Sequence, residues 1–299
     1  MKNILVIGCG LLGSSLVRKI HKKKIAKNIY VYEKSKKYLS QIKQLKLPCK
    51  ILNKLDSNVS NCDLIIFCTP MSEYKNIIKK INTLLSYKNL VTDIGSSKTE
   101  TQKIVNKYFN KNINWVSGHP IAGSEVSGPK NGSSEMFYKK WCVLIKEKNT
   151  NTESLKKLKV FWKKIGAKIV MMSAERHDKI FSITSHLPHL IAYNLVKSAQ
   201  DFEKKEKYDL IQFSAGGLRD FSRIAASNEI MWRDIFFNNH SNISVAIDLF
   251  IKNLKNFKKD IKHKRNNSLI SKLLQTKKVR SQILRLKHDI DKPDFGRKN

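Results

Sequence analysis

The sequence predicts an α/β fold in two parts: a doubly wound parallel sheet over residues 1–172, then an all-α half over residues 173–288. Three observations carry this expectation. Short unbroken apolar runs, the mark of strands buried on both faces, recur through the first part. Helical spacing fills most of the gaps, and such alternation implies parallel pairing through crossovers. After Ser173 the strand-like runs largely stop and helical spacing takes over.

The elements follow in order. Residues 4–7 (Ile-Leu-Val-Ile) form the first strand, and Gly8-Cys9-Gly10 turns the chain. Residues 11–23 read as a helix with Leu12, Leu16, Val17 and Ile20 on one face. Residues 28–32 give a second strand that ends at Glu33. Residues 63–68 give a third, closed by Thr69-Pro70, and 90–93 a fourth, followed by Gly95-Ser96. Residues 114–117, 141–145 and 169–172 complete the strands, while 74–85 and 99–108 carry helical spacing. In the second part, residues 174–200 read as one long helix kinked by Pro188. Gly216-Gly217 breaks the pattern, and 221–226, 229–250 and 251–286 are helical. Residues 289–299, polar and holding Pro293 and Gly296, are expected to fray into a disordered tail.

Composition narrows the classes. The formal charge of +34 points, at first sight, to nucleic acid or an acidic membrane surface. Only nine of the 58 basic residues are Arg, however, and the Lys are spread along the whole chain, which reads as a solvated Lys-rich surface. The last 49 residues hold 16 Lys or Arg against four Asp, a setting for non-specific anion binding. No helix-turn-helix, zinc-finger or RNA-binding signature supports a specific nucleic-acid partner. No apolar run approaches the roughly 18 residues a membrane span needs. The opening residues lead directly into a strand and a Gly-rich turn rather than a signal-peptide cleavage site. Cys9, Cys49, Cys62, Cys68 and Cys142 are odd in number, with no Cys-x-x-Cys, which predicts free thiols, a reducing cytoplasmic setting and no structural zinc.

Gly8-Cys9-Gly10-Leu11-Leu12-Gly13 matches Gly-x-Gly-x-x-Gly in the context that gives the motif meaning, directly after a strand and opening a helix. Gly8 permits the turn, Gly10 lets a pyrophosphate approach the backbone, and Gly13 lets helix and strand pack closely. The amides at Leu11 and Leu12 and the helix dipole favour phosphate. Glu33 stands where a carboxylate accepts from ribose hydroxyls and repels a 2′-phosphate, so NAD is the expected cofactor, although Lys34 and Lys36 lie close by. Thr69, Pro70 and Asp93 end strands at the carboxyl edge, where ligands of open α/β sheets bind. They are grouped with the cofactor residues, with a simple strand-ending turn at Thr69-Pro70 as the alternative. The motif makes the first part a Rossmann-like dinucleotide-binding domain.

Three segments carry candidate chemistry. Residues 93–98 (Asp-Ile-Gly-Ser-Ser-Lys) and 118–128 (Gly-His-Pro-Ile-Ala-Gly-Ser-Glu-Val-Ser-Gly) both follow strands. His119, in a loop of small residues and unlike a core position, suits a general base near neutral pH. Residues 185–189 (Ser-His-Leu-Pro-His) place His186 and His189 on one helix face. No nearby carboxylate completes a metal site, so none is expected. Arg is scarce, yet Arg219, Arg223 and Arg233 cluster within fifteen positions. Planar guanidinium suits carboxylate recognition, and a structural network through Asp220 and Asp234 is the alternative.

Taken together, residues 8–14, 93–98, 118–128, 185–189 and 219–225, with Trp232 beyond, resemble the prephenate/arogenate dehydrogenase family over roughly residues 3–250. The resemblance implies NAD-dependent oxidation and decarboxylation of prephenate to 4-hydroxyphenylpyruvate, on the way to tyrosine. It implies that His119 takes the hydrogen bond or proton of the ring hydroxyl and that Ser96 orients hydroxyl, imidazole and nicotinamide. Arg223, assisted by His189, would hold a carboxylate. Ser124, Glu125 and Arg219 would line the side-chain end, with Asp220 and Trp232 supporting. A homodimer built through the helical half is expected. No appended regulatory domain or fused mutase is visible, which leaves feedback control open. Arogenate is the nearest alternative substrate. A 3-hydroxyacid dehydrogenase using Lys179 or Lys197 is a more distant one, and a basic nucleic-acid-binding protein the most distant.

Overall fold

The structure, a computed structural model, describes residues 1–110, 112–207 and 209–286. The expected tail at 289–299 lies outside the described residues. Met1–Ile243 pack as one compact unit. It opens with β1 (Asn3–Ile7), α1 (Leu11–Lys22), β2 (Asn28–Tyr32), α2 (Lys36–Gln44), β3 (Lys50–Leu52) and β4 (Leu64–Phe67). There follow α3 (Tyr74–Ile81), β5 (Leu90–Asp93), α4 (Thr99–Tyr108), β6 (Asn114–Trp115) and β7 (Gly118–Pro120). Then come β8 (Trp141–Ile145), α5 (Thr152–Ile165) and β9 (Lys168–Met172).

Six strands form one parallel sheet in the order β3-β2-β1-β4-β5-β6. The apolar runs explain its centre. In β1, Ile4 and Val6 join one buried cluster, with Leu16, Val17 and Ile20 of α1; Leu5 and Ile7 join another, with Ile65, Phe67, Ile77 and Ile78. Side chains of a strand alternate between faces, so a run apolar throughout is what two covered faces require.

The expected Rossmann-like doubly wound sheet is present, but two expected strands belong elsewhere. Residues 141–145 and 168–172 form a separate three-stranded sheet, β7-β8-β9, in which β7 runs antiparallel to β8. Gly118–Pro120, expected as loop, is its edge strand. The edge strand β3 was not anticipated. Only three residues long, it shows no period, as is true of β7.

The helices continue with α6 (Ala174–Phe181), α7 (Leu187–Glu206), α8 (Gly216–Ala225), α9 (Glu229–Asn238), α10 (His240–Lys262) and α11 (Asn266–Arg285). Between α6 and α7, Ser182–His186 form a π turn. This turn, rather than a kink centred on Pro188, interrupts the expected long helix. Pro188 has no N–H to give the carbonyl four residues back, and it is accommodated in the first turn of α7 after the widened turn. Gly216-Gly217 open α8 instead of breaking the pattern ahead of it. The expected 229–250 helix is divided at Asn239, whose φ is −124°. Asn239 Nδ2 donates to the Asp178 carbonyl at 2.9 Å and lies 3.1 Å from His186 Nδ1. The expected 251–286 helix is likewise divided, between α10 and α11.

A second unit begins at Ser244. Within it Asp260 accepts from Ser268 Oγ at 2.8 Å and pairs with Lys272 at 2.5 Å, joining α10 to α11. Among the described residues, no helix is long and apolar enough to cross a membrane. All five cysteines are free.

Candidate active site

A cleft of about 710 Å³ runs along the carboxyl edge of the parallel sheet. Its floor at one end is the Gly-rich turn. Gly8 has φ +90°, and a Cβ there would sit 2.8 Å from the Cys68 carbonyl oxygen; at Gly13 a Cβ would sit 2.1 Å from the Gly8 carbonyl oxygen. Only glycine serves at either position. A Cβ at Gly10 would meet nothing nearer than 3.9 Å, so its backbone is approachable from the cleft. Helix α1 has no side-chain cap, which leaves its first amides for an anion. Gly10, Leu11, Leu12, Thr69 and Pro70 all line the cleft. Thr69 Oγ1 is buried without a partner among the described residues. These features fit the pyrophosphate and adjoining sugar of a dinucleotide.

Glu33 lies at the end of β2. Its carboxylate accepts from the amides of Cys9 (2.7 Å) and Ser35 (2.8 Å) and so ties the Gly-rich turn to the strand. Asp93 requires a correction. Expected to face the cofactor, it is wholly buried. Its Oδ2 accepts from Lys98 Nζ at 2.6 Å, Gly95 N at 2.9 Å and the Tyr74 hydroxyl at 3.1 Å, and Oδ1 from Gly118 N at 3.3 Å. Lys98, equally buried, also donates to the Gly118 carbonyl at 2.6 Å. The motif's acid and base therefore clamp the Ser96 segment to the His119 segment, a use that strand-end position alone does not reveal.

His119 is likewise buried, at 8% exposure, because it sits on β7 and not in an open loop. It nonetheless lines the cleft, together with Ser96, Ser185 and His189. Its Nδ1 lies 2.8 Å from His177 Nε2, and His177 Nδ1 lies 2.8 Å from Asp178 Oδ1. Burial, then the neighbouring His177, Lys98 and His186, holds the His119 imidazole well below its usual range, so it is neutral near pH 7. His186 does not reach the cleft. It is buried against Asn239, and burial pushes it down to about 4.

The ring of His189 stacks on Trp232 at 3.8 Å, and its Nδ1 donates to the Ser185 carbonyl at 3.0 Å. Burial lowers His189, and a bound carboxylate would favour its protonated form. Arg223 lines the cleft and pairs with Glu125 at 3.5 Å; Ser124 Oγ donates to Glu125 at 3.0 Å. Arg223 Nε and Trp232 Nε1 are buried with no partner among the described residues, two donors beside the cleft. Arg219 and Asp220 are exposed on α8 and are not among the residues lining the cleft. Lys179 and Lys197 are spent on exposed pairs with Glu175 and Asp201. Among the described residues, no three His, Cys, Asp or Glu are grouped to hold a metal ion.

His177 and Asp178 were not singled out by sequence. The available signal was their place, just after β9, a strand parallel to β8, as an acid beside a histidine. The contact itself spans 58 positions and is made only by the fold.

Comparison with known proteins agrees with the geometry. The family model described as prephenate dehydrogenase, nucleotide-binding domain, matches residues 16–171; the one described as prephenate dehydrogenase, dimerization domain, matches residues 173–275. The chain is 31% identical over 289 residues to cyclohexadienyl dehydrogenase of Zymomonas mobilis, covering 97% of this chain and 98% of that one. It is 31% identical over 264 residues to prephenate dehydrogenase of Lactococcus lactis, covering 87% and 70%. A crystal structure of prephenate dehydrogenase from A. aeolicus in complex with hydroxyphenyl propionate and NAD+ matches with a TM-score of 0.88 at 32% identity, over 95% of this chain and 98% of that one.

Proposed function

The chain belongs to the prephenate dehydrogenase family, and from that premise we propose that it oxidises and decarboxylates prephenate to 4-hydroxyphenylpyruvate with NAD, in tyrosine formation. The observation that carries the proposal is the meeting, in one cleft, of the Gly-rich turn with Ser96, His119, His189 and Arg223. Held at the Gly-rich turn by Gly10, Leu11 and Leu12 with Thr69 and Pro70 alongside, NAD would supply a hydride acceptor for the ring carbon that bears the hydroxyl.

The chain's own residues supply position and a proton acceptor. His119, neutral and with Nδ1 engaged, uses Nε2 to accept the hydroxyl proton. Ser96 orients the hydroxyl. Arg223, helped by His189, holds a carboxylate. As the ring carboxylate leaves, the electron pair of the broken bond completes the aromatic ring. The chemistry is strongly downhill, so positioning and electrostatics are the protein's main tasks. Glu33, whose oxygens also accept from the Cys9 and Ser35 amides, would accept from the ribose and disfavour a 2′-phosphate. Residues 1–172 form the cofactor half and 173–288 the substrate and dimerisation half of a homodimer. Exposed apolar residues such as Leu249, Leu254, Leu273 and Leu274, in the stretch matched as a dimerization domain, support the dimer. Five free cysteines accord with the cytoplasm.

A second reading, with arogenate as substrate or both accepted, is favoured by Glu125. Of the clustered arginines, Arg223 lines the cleft, with Lys140, but is already paired with that carboxylate, and Glu125 would accept a hydrogen bond from arogenate's ammonium. The test is nicotinamide reduction with prephenate or arogenate crossed with NAD or NADP. Turnover with prephenate and NAD supports the first reading, turnover with arogenate alone the second, and no turnover in any combination overturns both.

A further inference from the structure

One buried polar chain has no part yet in binding or proton acceptance. His177 and Asp178 lie in α6, both wholly buried. Asp178 Oδ1 accepts from Lys98 N at 2.9 Å and Oδ2 from Thr99 N at 2.8 Å, so this carboxylate caps α4 from another helix. His177 Nδ1 meets Asp178 Oδ1, and His177 Nε2 meets His119 Nδ1, each at 2.8 Å.

We propose that His177 and Asp178 are positioning residues that fix the tautomer of His119, keeping its Nε2 lone pair toward the cleft. The proposal rests on His119 being the base. The argument is one of donors and acceptors. An ionised carboxylate only accepts, so His177 Nδ1 carries a hydrogen. Asp178 stays ionised: burial opposes this, but the bonds from His177 and Thr99 outweigh it and hold the carboxyl below its usual range. His177 stays neutral because burial, with Lys98 adding to it, outweighs the attraction of Asp178 and Asp93. Neutral His177 therefore has a bare Nε2, and the hydrogen between the two rings belongs to His119 Nδ1. His119 Nε2 is then the unprotonated nitrogen.

The groups facing this pair are Lys98, His186, Asp93 and Asp178. Phe181 packs on both rings, with centroids 5.0 Å from His119 and 4.5 Å from His177. Since Asp178 also caps α4, which follows the Ser96 segment, one carboxylate registers both the hydroxyl that orients the substrate and the imidazole that accepts its proton. When Nε2 takes the proton, the bond from Nδ1 to His177 becomes charge-assisted and strengthens.

The experiment uses the full chain as wild type, His177→Phe, His177→Gln, Asp178→Asn and His119→Asn. Nitrogen-15 NMR of labelled histidines, without ligands, reads the His119 tautomer. Single-turnover hydride transfer reads the rate, and KM is measured beside it. The wild type is expected to show the Nδ1–H tautomer. His177→Phe and Asp178→Asn should mix or invert it and slow hydride transfer about 10- to 1,000-fold at nearly constant KM. His177→Gln, whose carbonyl can accept from His119 Nδ1, should restore most of the rate, which a purely packing role would not. An Nε2–H tautomer in the wild type overturns the proposal, as does an unchanged tautomer and rate in His177→Phe. If His177→Phe fails to fold, the wild-type spectrum and the Gln variant still decide. Undiminished turnover in His119→Asn overturns the base assignment instead, while the spectra continue to report on the positioning of the ring.

Discussion

Burial, the His177 ring and the Lys98 ammonium together oppose a second proton on His119, so the residue meets its substrate as a neutral imidazole. Arg223 works differently. It is half-exposed, paired with Glu125 at 3.5 Å, and keeps a buried Nε without a partner among the described residues. A contact made equally to bound substrate and transition state affects KM rather than kcat. Arg223→Ala is therefore expected to raise KM about 10- to 100-fold, the worth of one hydrogen bond to a charged group, with kcat nearly unchanged. Steady-state kinetics check this, and an unchanged KM would make Arg223 a structural partner of Glu125. His119 was legible from sequence because Gly118 and Pro120 flank it in a stretch of small residues after a strand. His177 and Asp178 were not, since nothing in their local spacing says which side chain 58 positions away they will meet. Asp93 was legible as a strand end, but strand ends do not tell which way a carboxylate turns.

At the scale of elements, the clamp between β5 and β7 decides whether the site assembles. Asp93 and Lys98 are both 0% exposed, and Lys98 also holds the Gly118 carbonyl. Removing one partner leaves the other charge buried and unpaired. Lys98→Met should cost about 3–5 kcal/mol of stability. The double change Asp93→Asn, Lys98→Met should cost less than the two single changes summed. Urea unfolding measures both. Additive losses would mean that the two groups do not act as a pair. Elements such as β1, α1 and β5 were readable in the sequence, the two strands as short runs rich in apolar residues closed by Gly-containing turns and α1 by its helical spacing. Of the strands two or three residues long, β6 was expected within 114–117, whereas β3 and β7 have no period to show. The π turn before α7 was foreshadowed only as a Pro-induced irregularity, and the break at Asn239 depends on its bond to Asp178.

Across the whole molecule, four histidines are held neutral by burial: His119, His177, His186 and His189. Each has a folded value below the unfolded one near 6.5, so the unfolded chain binds more protons between those values. Stability should therefore fall as pH drops below about 6.5. His186, at about 4, alone accounts for about 3 kcal/mol by the time pH reaches its folded value. Asp178, also lowered, acts in the same direction, but only below its ordinary value of about 3.8. Melting temperatures should hold from pH 7.5 to about 6.5 and decline from there to pH 4, and a flat curve throughout would contradict the assigned neutral states. The net charge of +34 has a second consequence. Both ligands are anions, and a positive surface steers anions at low salt. Raising the salt concentration from about 0.05 M to about 0.5 M should lower kcat/KM more than kcat, and equal effects on both would remove steering from the account.

The central claim is that His119 accepts the hydroxyl proton as hydride leaves. It is tested most directly by rapid-mixing measurement of nicotinamide reduction in His119→Asn, saturated with prephenate and NAD, with fold checked by circular dichroism. The account predicts a hydride-transfer rate about 10²- to 10⁴-fold below wild type with the fold intact. A wild-type rate in that variant would contradict it.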